Sequence, residues 1–299
     1  MTDFTGSFTA LITPFTEDGS AVDLDRFATN INHQSIAGVS GIVPCGTTGE
    51  TPTLSAREYR AVVEKAIEVG KPIGLTVIPG AGSNSTAHAI EQHRFACEIG
   101  AHAALHVAPY YNKPSQEGLY RHFMAIADSC DLPIVVYNIP GRTSVLITIE
   151  TLERLAAHPN IVAVKEATGS LDLARQIIER TDLTVLSGDD PLTLPLASLG
   201  GSGVISVIGN ILPDRVAAFC NAFLGGDWPK AREINDDLLP LARALLKLDT
   251  NPIPVKTAMK LLGRDSGAFR LPLCEPAESV VEALRGLLSP YDLPVESMA

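Results

Sequence analysis

The chain has no basic cluster. Its 23 Lys and Arg are outnumbered by 34 Asp and Glu, the net charge is −11, and no run of Lys or Arg occurs. An acidic surface repels phosphate backbones and anionic headgroups, so nucleic-acid and membrane-surface partners are not expected. No uninterrupted apolar segment approaches the ~20 residues that span a bilayer, and the start, Met-Thr-Asp-Phe-Thr-Gly, has neither a basic stretch nor an apolar one, so the reading is a cytoplasmic protein. Paired cysteine spacing is also missing. Cys45, Cys97, Cys130, Cys220 and Cys274 are odd in number and lie far apart, which predicts free, mostly buried thiols in a reducing compartment. The seven histidines form no His-x-His or His-Glu-x-x-His grouping, so no metal and no metal cofactor are expected.

What is present is a repeat. Short apolar runs recur with helical patterns between them: 8–12, 41–43, 73–78, 103–107, 134–137, 161–165, 184–186 and 203–207. Ser55 followed by Glu58 forms a capping box for a helix over 56–69 that Gly70 closes, and Leu24, Phe27 and Ile31 mark the apolar face of the helix before it. Strict strand–helix alternation means parallel strands with crossover helices. Eight such units predict an α/β fold of the (β/α)8 TIM barrel type, and the first strand leads into Thr13-Pro14-Phe15-Thr16 rather than the Gly-x-Gly-x-x-Gly turn of a doubly wound sheet. Beyond Gly225-Gly226 only helical stretches follow, at 229–248, 253–262 and 277–288. The expected organisation is a catalytic barrel over 1–226 with a C-terminal three-helix appendage over 227–299.

In a barrel, catalytic groups project from the C-terminal strand ends. Lys165 ends the run Ile161-Val162-Ala163-Val164 just before a polar turn. A lone lysine there is most often merely solvated. Partial desolvation, however, brings an amine from a pKa of ~10.4 toward ~7–8, where its neutral form attacks a ketone to give a Schiff base. Tyr137 ends the strand before it and offers a phenol for moving protons. After the second strand, Gly46-Thr47-Thr48-Gly49-Glu50 presents two hydroxyls and backbone N–H groups suited to a carboxylate. After the fourth comes Tyr110-Tyr111, and after the fifth Arg142, whose planar fork matches a carboxylate. Amine, phenol, paired hydroxyls and guanidinium are together what condensation of a small 2-oxo acid needs. Asp189-Asp190 reads as a polar turn and Cys45 as core filler. Gly200 to Gly203 precede the last strand and so lie on the non-catalytic face, which argues against a phosphorylated substrate.

Several long motifs, in order, carry a family likeness. They are Gly46–Glu50, Pro109–Gly118, Tyr137–Thr143, Val164–Gly169, Leu186–Asp190, Gly203–Val207 and Asn251–Lys256. Through them the chain resembles the dihydrodipicolinate (4-hydroxy-tetrahydrodipicolinate) synthase family of pyruvate-dependent, Schiff-base-forming lyases, related to N-acetylneuraminate lyase. The resemblance implies that Lys165 forms the imine with pyruvate, Tyr137 is the acid/base, and Thr48 with Tyr111 completes a proton relay. It implies that Thr47, Thr48 and the main chain near Ile205 hold pyruvate, while Arg142 receives the carboxylate of L-aspartate 4-semialdehyde. No cofactor is implied. The tyrosine matching Tyr111 reaches a neighbouring subunit's site, which implies a homotetramer built as a dimer of dimers. The reaction implied belongs to lysine and diaminopimelate biosynthesis. Two alternatives are an aldolase for another 2-oxo acid, such as a sugar acid or N-acetylneuraminate, and a catalytically silent binding barrel; Arg142 and the Thr-Thr pair favour the synthase. Where lysine-inhibited relatives carry a glutamate and histidines, this chain has His88, Ala56 and Tyr59, while Asn84 and Tyr110 are kept, so feedback by lysine is expected to be weak or absent. The segment Val207–Ile211 departs from the family pattern.

Overall fold

The computed structural model describes residues 4–293, so the ends of the two expected units, residues 1–3 and 294–299, lie outside the described residues. Eight parallel strands run in the order β3-β2-β1-β8-β7-β6-β5-β4. They are β1 Gly6–Ala10, β2 Gly41–Val43, β3 Thr76–Val77, β4 Ala104–Val107, β5 Ile134–Asn138, β6 Ile161–Glu166, β7 Thr184–Ser187 and β8 Gly203–Ser206. The two sheet edges meet as well. A parallel bridge joins Gly80 to Leu105, with Leu105 N–H donating to Pro79 O and Ala81 N–H to Leu105 O, each at 2.9 Å. The ring of strands therefore closes, as the strand–helix alternation predicts.

Period-two alternation divides each strand between two environments. Phe8, Ala10, Val43, Leu105, Val135, Tyr137, Ala163, Leu186 and Ile205 fill the barrel interior. Val136, Val164 and Val185 face outward, against Leu119, Phe123, Leu152 and Ile177 of the surrounding helices. Both faces are buried, which is why these strands read as continuous apolar runs. The capping box at Ser55 and Glu58 is present and opens the helix Ala56–Gly70.

Beyond the barrel, helices Trp228–Lys247, Ile253–Leu261 and Glu278–Leu288 share one apolar cluster with barrel residues. Leu241, Leu245, Val255, Met259 and Leu284 pack there with Val204, Ile208 and Phe219. Pro240 lies inside the first of these helices without ending it.

Two expectations need correction. The third strand is only Thr76–Val77, because Ile73 and Gly74 belong to the turn that follows the helix; Gly74 has φ +84°, and Ile73 is exposed. The cysteines are all free, but only Cys45 and Cys220 are buried; Cys97 and Cys130 are half-buried and Cys274 is exposed, since three of them sit on helix ends or loops rather than core faces. The departing segment after β8 has a structural role. Asn210 donates to Ala10 O at 2.8 Å and Val207 O at 2.9 Å and accepts from Ile12 N–H at 3.1 Å, sealing the exit of β1 against that of β8.

Candidate active site

Lys165 and Tyr137 are register partners across β6 and β5, so both project to the interior at the same level. This pairing depends on a register shift between Ile134 and Val135: Ile134 faces Ile161, but Val135 faces Ala163, with Val162 taken up in between. Without that extra residue Tyr137 would face Val164, whose side chain points to the helices. As built, Lys165 Nζ lies 4.4 Å from the centre of the Tyr137 ring. Small residues make room for the amine. Ala163 sits one pleat below it, and a methyl group on Gly188 would come within 3.0 Å of Lys165 Cε.

Burial dominates the electrostatics. It lowers the Lys165 pKa to about 8; the buried carboxylate of Asp190 opposes this and the Arg142 guanidinium adds to it. Burial also raises the Tyr137 phenol to about 12, opposed by Arg142 and by a hydrogen bond with Thr47. Asp190 accepts from the N–H groups of Val207 at 2.8 Å and Ile208 at 3.1 Å, which fix its carboxyl in place, while burial pushes that carboxyl up from the usual range, opposed by these hydrogen bonds and by Lys165. The amine is thus neutral in a useful fraction near pH 7, while the phenol stays protonated.

The Thr47–Gly49 turn follows β2, and Glu50 after it adopts a left-handed conformation at φ 51°. Thr13 Oγ1 donates to Gly49 O at 2.8 Å, and Asn251 Nδ2 donates to Thr48 Oγ1 at 3.1 Å. Arg142 lies in the short helix Pro140–Thr143 and donates from Nη2 to Asn251 O at 3.1 Å. One cavity of about 540 Å³ is lined by Thr47, Thr48, Tyr137, Arg142, Lys165, Gly188, Val207 and Asn251, among others. Tyr110 lines its far side.

Of the residues singled out from sequence, Lys165, Tyr137, Thr47, Thr48 and Arg142 converge on this cavity. Tyr111 does not line it. It is 89% exposed, at φ 71°. Ile205 packs its side chain in the barrel interior beside Phe8 and Leu186, and Val207 is the residue of that segment on the cavity wall. Sequence reading missed Gly188, Asp190 and Asn251. Gly188 and Asp190 stood in a motif read as a turn, and Asn251 stood in a string that carried the family likeness but no chemistry of its own. Among the described residues, no group of three or more His, Cys, Asp or Glu could hold a metal ion, and no helix is long and apolar enough to cross a membrane.

A closed parallel barrel with a desolvated lysine beside a phenol, hydroxyls and a guanidinium at its C-terminal mouth defines the class of Schiff-base lyases and aldolases. Within that class the comparison with known proteins is specific. Residues 3–290 match the model of the dihydrodipicolinate synthetase family, and the chain belongs to that family. It is 49% identical to the 4-hydroxy-tetrahydrodipicolinate synthase of Methanocaldococcus jannaschii, over 97% of this chain and 99% of that one. It is 50% identical to the synthase of the same name from Nitratidesulfovibrio vulgaris, over 96% and 98%. Its fold superposes on the crystal structure of dihydrodipicolinate synthase from Aquifex aeolicus with a TM-score of 0.95 at 45% identity, covering 98% of this chain and all of that one (100%).

Proposed function

We propose that this chain is a 4-hydroxy-tetrahydrodipicolinate synthase, a lyase that condenses pyruvate with L-aspartate 4-semialdehyde on the route to lysine and diaminopimelate. The observation that carries the reading is the desolvated Lys165 amine 4.4 Å from the Tyr137 ring, on the wall of a cavity that also presents Arg142. Neutral Lys165 Nζ attacks the pyruvate keto carbon, and water leaves to give the imine. Thr47, Thr48 and the main chain near Ile205 hold the pyruvate carboxylate. Loss of a methyl proton gives the enamine, whose carbon attacks the aldehyde held through its carboxylate at Arg142. The substrate's amine then displaces Lys165, closing the ring and freeing the enzyme.

Tyr137 is the acid/base, with Thr48 and Tyr111 passing protons to solvent. Tyr111 is exposed and does not line its own cavity, so the relay is completed by a second copy, in a cytoplasmic homotetramer arranged as a dimer of dimers. The carboxylate site at Arg142 favours this acceptor over a sugar-derived aldehyde.

Borohydride trapping with pyruvate tests the reading. The expected result is one covalent adduct on Lys165, with a trapping rate that rises with pH through a midpoint near 8, because only the neutral amine reacts. No adduct, or one on another lysine, would overturn it.

Lysine feedback is the second point. The cavity continues past Ala56, Tyr59 and His88, and the carboxylate on that side, Glu91, is engaged by Arg60 at 3.5 Å and His88 at 3.4 Å. A lysine α-ammonium would therefore lack a free anionic partner there. Steady-state assays should show less than half inhibition at about 1 mM lysine.

A further inference from the structure

Two half-buried thiols meet at the base of the barrel, where the proposed reaction makes no use of them. Cys97 lies in the last turn of the helix Thr86–Glu98, and Cys130 follows the helix Gln116–Ala127. Each precedes the strand that its helix leads into, β4 or β5, and so sits at the end of the barrel opposite Lys165.

The turn carrying Cys130 is docked on one face of the first of these helices. Arg94 Nε donates to Ser129 O at 3.3 Å, and the Cys130 thiol donates to His93 O at 3.9 Å. In an α-helix a carbonyl accepts from the N–H four residues on, which for His93 is that of Cys97, so both cysteines address the same helical turn. Both pack against Ala81, Ala96, Ala104 and Leu132, and their side chains are hydrogen-bonded to each other. Closing from that contact to the ~2.05 Å of an S–S bond asks for rotation of two short side chains, and partial exposure gives an oxidant access. We infer that Cys97 and Cys130 are a dithiol that closes to an intramolecular disulfide under an excess of a low-molecular-weight disulfide, and that the bond braces the base of the barrel.

The Cys97 thiolate attacks one sulfur of the oxidant, forming a mixed disulfide and expelling one thiolate. Cys130 then gives its proton to water, attacks the Cys97 sulfur and expels the second thiolate. Two protein thiols are oxidised and one external disulfide is reduced to two thiols. The order follows from the surroundings. Burial pushes the Cys130 thiol up from its usual range, and the hydrogen bond with Cys97 and the charge of Cys97 add to this, opposed by Ser129 and Arg94. Capping Cys97 removes its charge, so Cys130 ionises more readily at the step where it must attack.

The test oxidises the folded protein with excess glutathione disulfide, blocks the remaining thiols and maps peptides without reduction. Cys45 and Cys220 are buried, and the exposed Cys274 is replaced in a Cys274→Ser background so that it does not link molecules. The expected result is one peptide pair joined through Cys97 and Cys130 in most molecules. A cross-link restricts the unfolded chain more than the folded one, so the melting temperature should rise by about 4–10 °C, and dithiothreitol should reverse both changes. Adding Cys97→Ser or Cys130→Ser should abolish the rise on oxidation. Absence of the Cys97–Cys130 link, or a stop at glutathione adducts on either cysteine, would overturn the inference. So would a link formed with no rise in melting temperature, since the bond would then brace nothing.

Discussion

Lys165→Ala is expected to lower kcat/KM by about 10⁴-fold or more, because it removes the nucleophile on which every bond-forming step depends. Lys165→Arg should be equally inactive: a guanidinium stays charged and cannot form the imine. The loss in Lys165→Ala should not reflect unfolding. Lys165 is only 6% exposed, and burial works against its charged form, so replacing it by a small apolar residue relieves a desolvation cost. Thermal unfolding of Lys165→Ala should therefore be unchanged or shifted slightly upward, the expected trade between stability and function at an active site. The check is steady-state turnover alongside a melting curve. Residual activity within about tenfold of the parent would remove this amine from the reaction.

Lys256→Met is expected to have the largest effect on stability. Lys256 is fully buried, at 0% exposure, and donates to Glu50 Oε1 at 2.6 Å, Ala268 O at 2.8 Å and Thr13 O at 3.2 Å. Asp265 Oδ2 lies 4.0 Å away, and the ammonium stands 4.2 Å from the centre of the Phe15 ring. Methionine preserves much of the volume but leaves Glu50 in the core without its cation. Breaking one side of a buried pair costs about 3–5 kcal/mol, against a total stability of about 5–15 kcal/mol for most domains. Burial already raises Asp265 to about 6, with Lys256 opposing, so that carboxyl loses support as well. Glu50 directly follows the Thr47–Gly49 turn, and its release also loosens the hydroxyls above the amine. Urea unfolding measures the loss. The double variant Lys256→Met/Glu50→Gln should recover part of it, since the uncompensated charge has gone. A loss below about 1 kcal/mol in the single variant would mean that the pair is not what joins the C-terminal helices to this turn.

The same contrast governs what could be read in the linear chain. Lys165 and Tyr137 were legible because each ends an apolar run, where a barrel exposes its chemistry, and Thr47, Thr48 and Arg142 because they follow such runs. Ile73 misled, because an apolar residue in a helix-terminating turn looks locally like the start of a strand. Asp190 and Asn251 carried no local signal at all. Asp190 takes its meaning from the amides of Val207 and Ile208, and Asn251 from Thr48 and Arg142, all distant in the chain.

By itself the sequence determined the strand and helix periods, the caps, the parallel alternation and hence the barrel, and the set of strand ends that bear reactive groups. These follow from side-chain spacing and backbone preference, which act over a few residues. Only the tertiary structure decided that an extra residue in β6 brings Tyr137 level with Lys165, that Tyr111 stands exposed off the wall of its own cavity, and that Asn251 and Lys256 brace the site from the C-terminal helices. Those outcomes depend on register and on contacts across some two hundred residues, such as Thr48 with Asn251 and Glu50 with Lys256, where local preference is silent and packing of the closed barrel makes the choice.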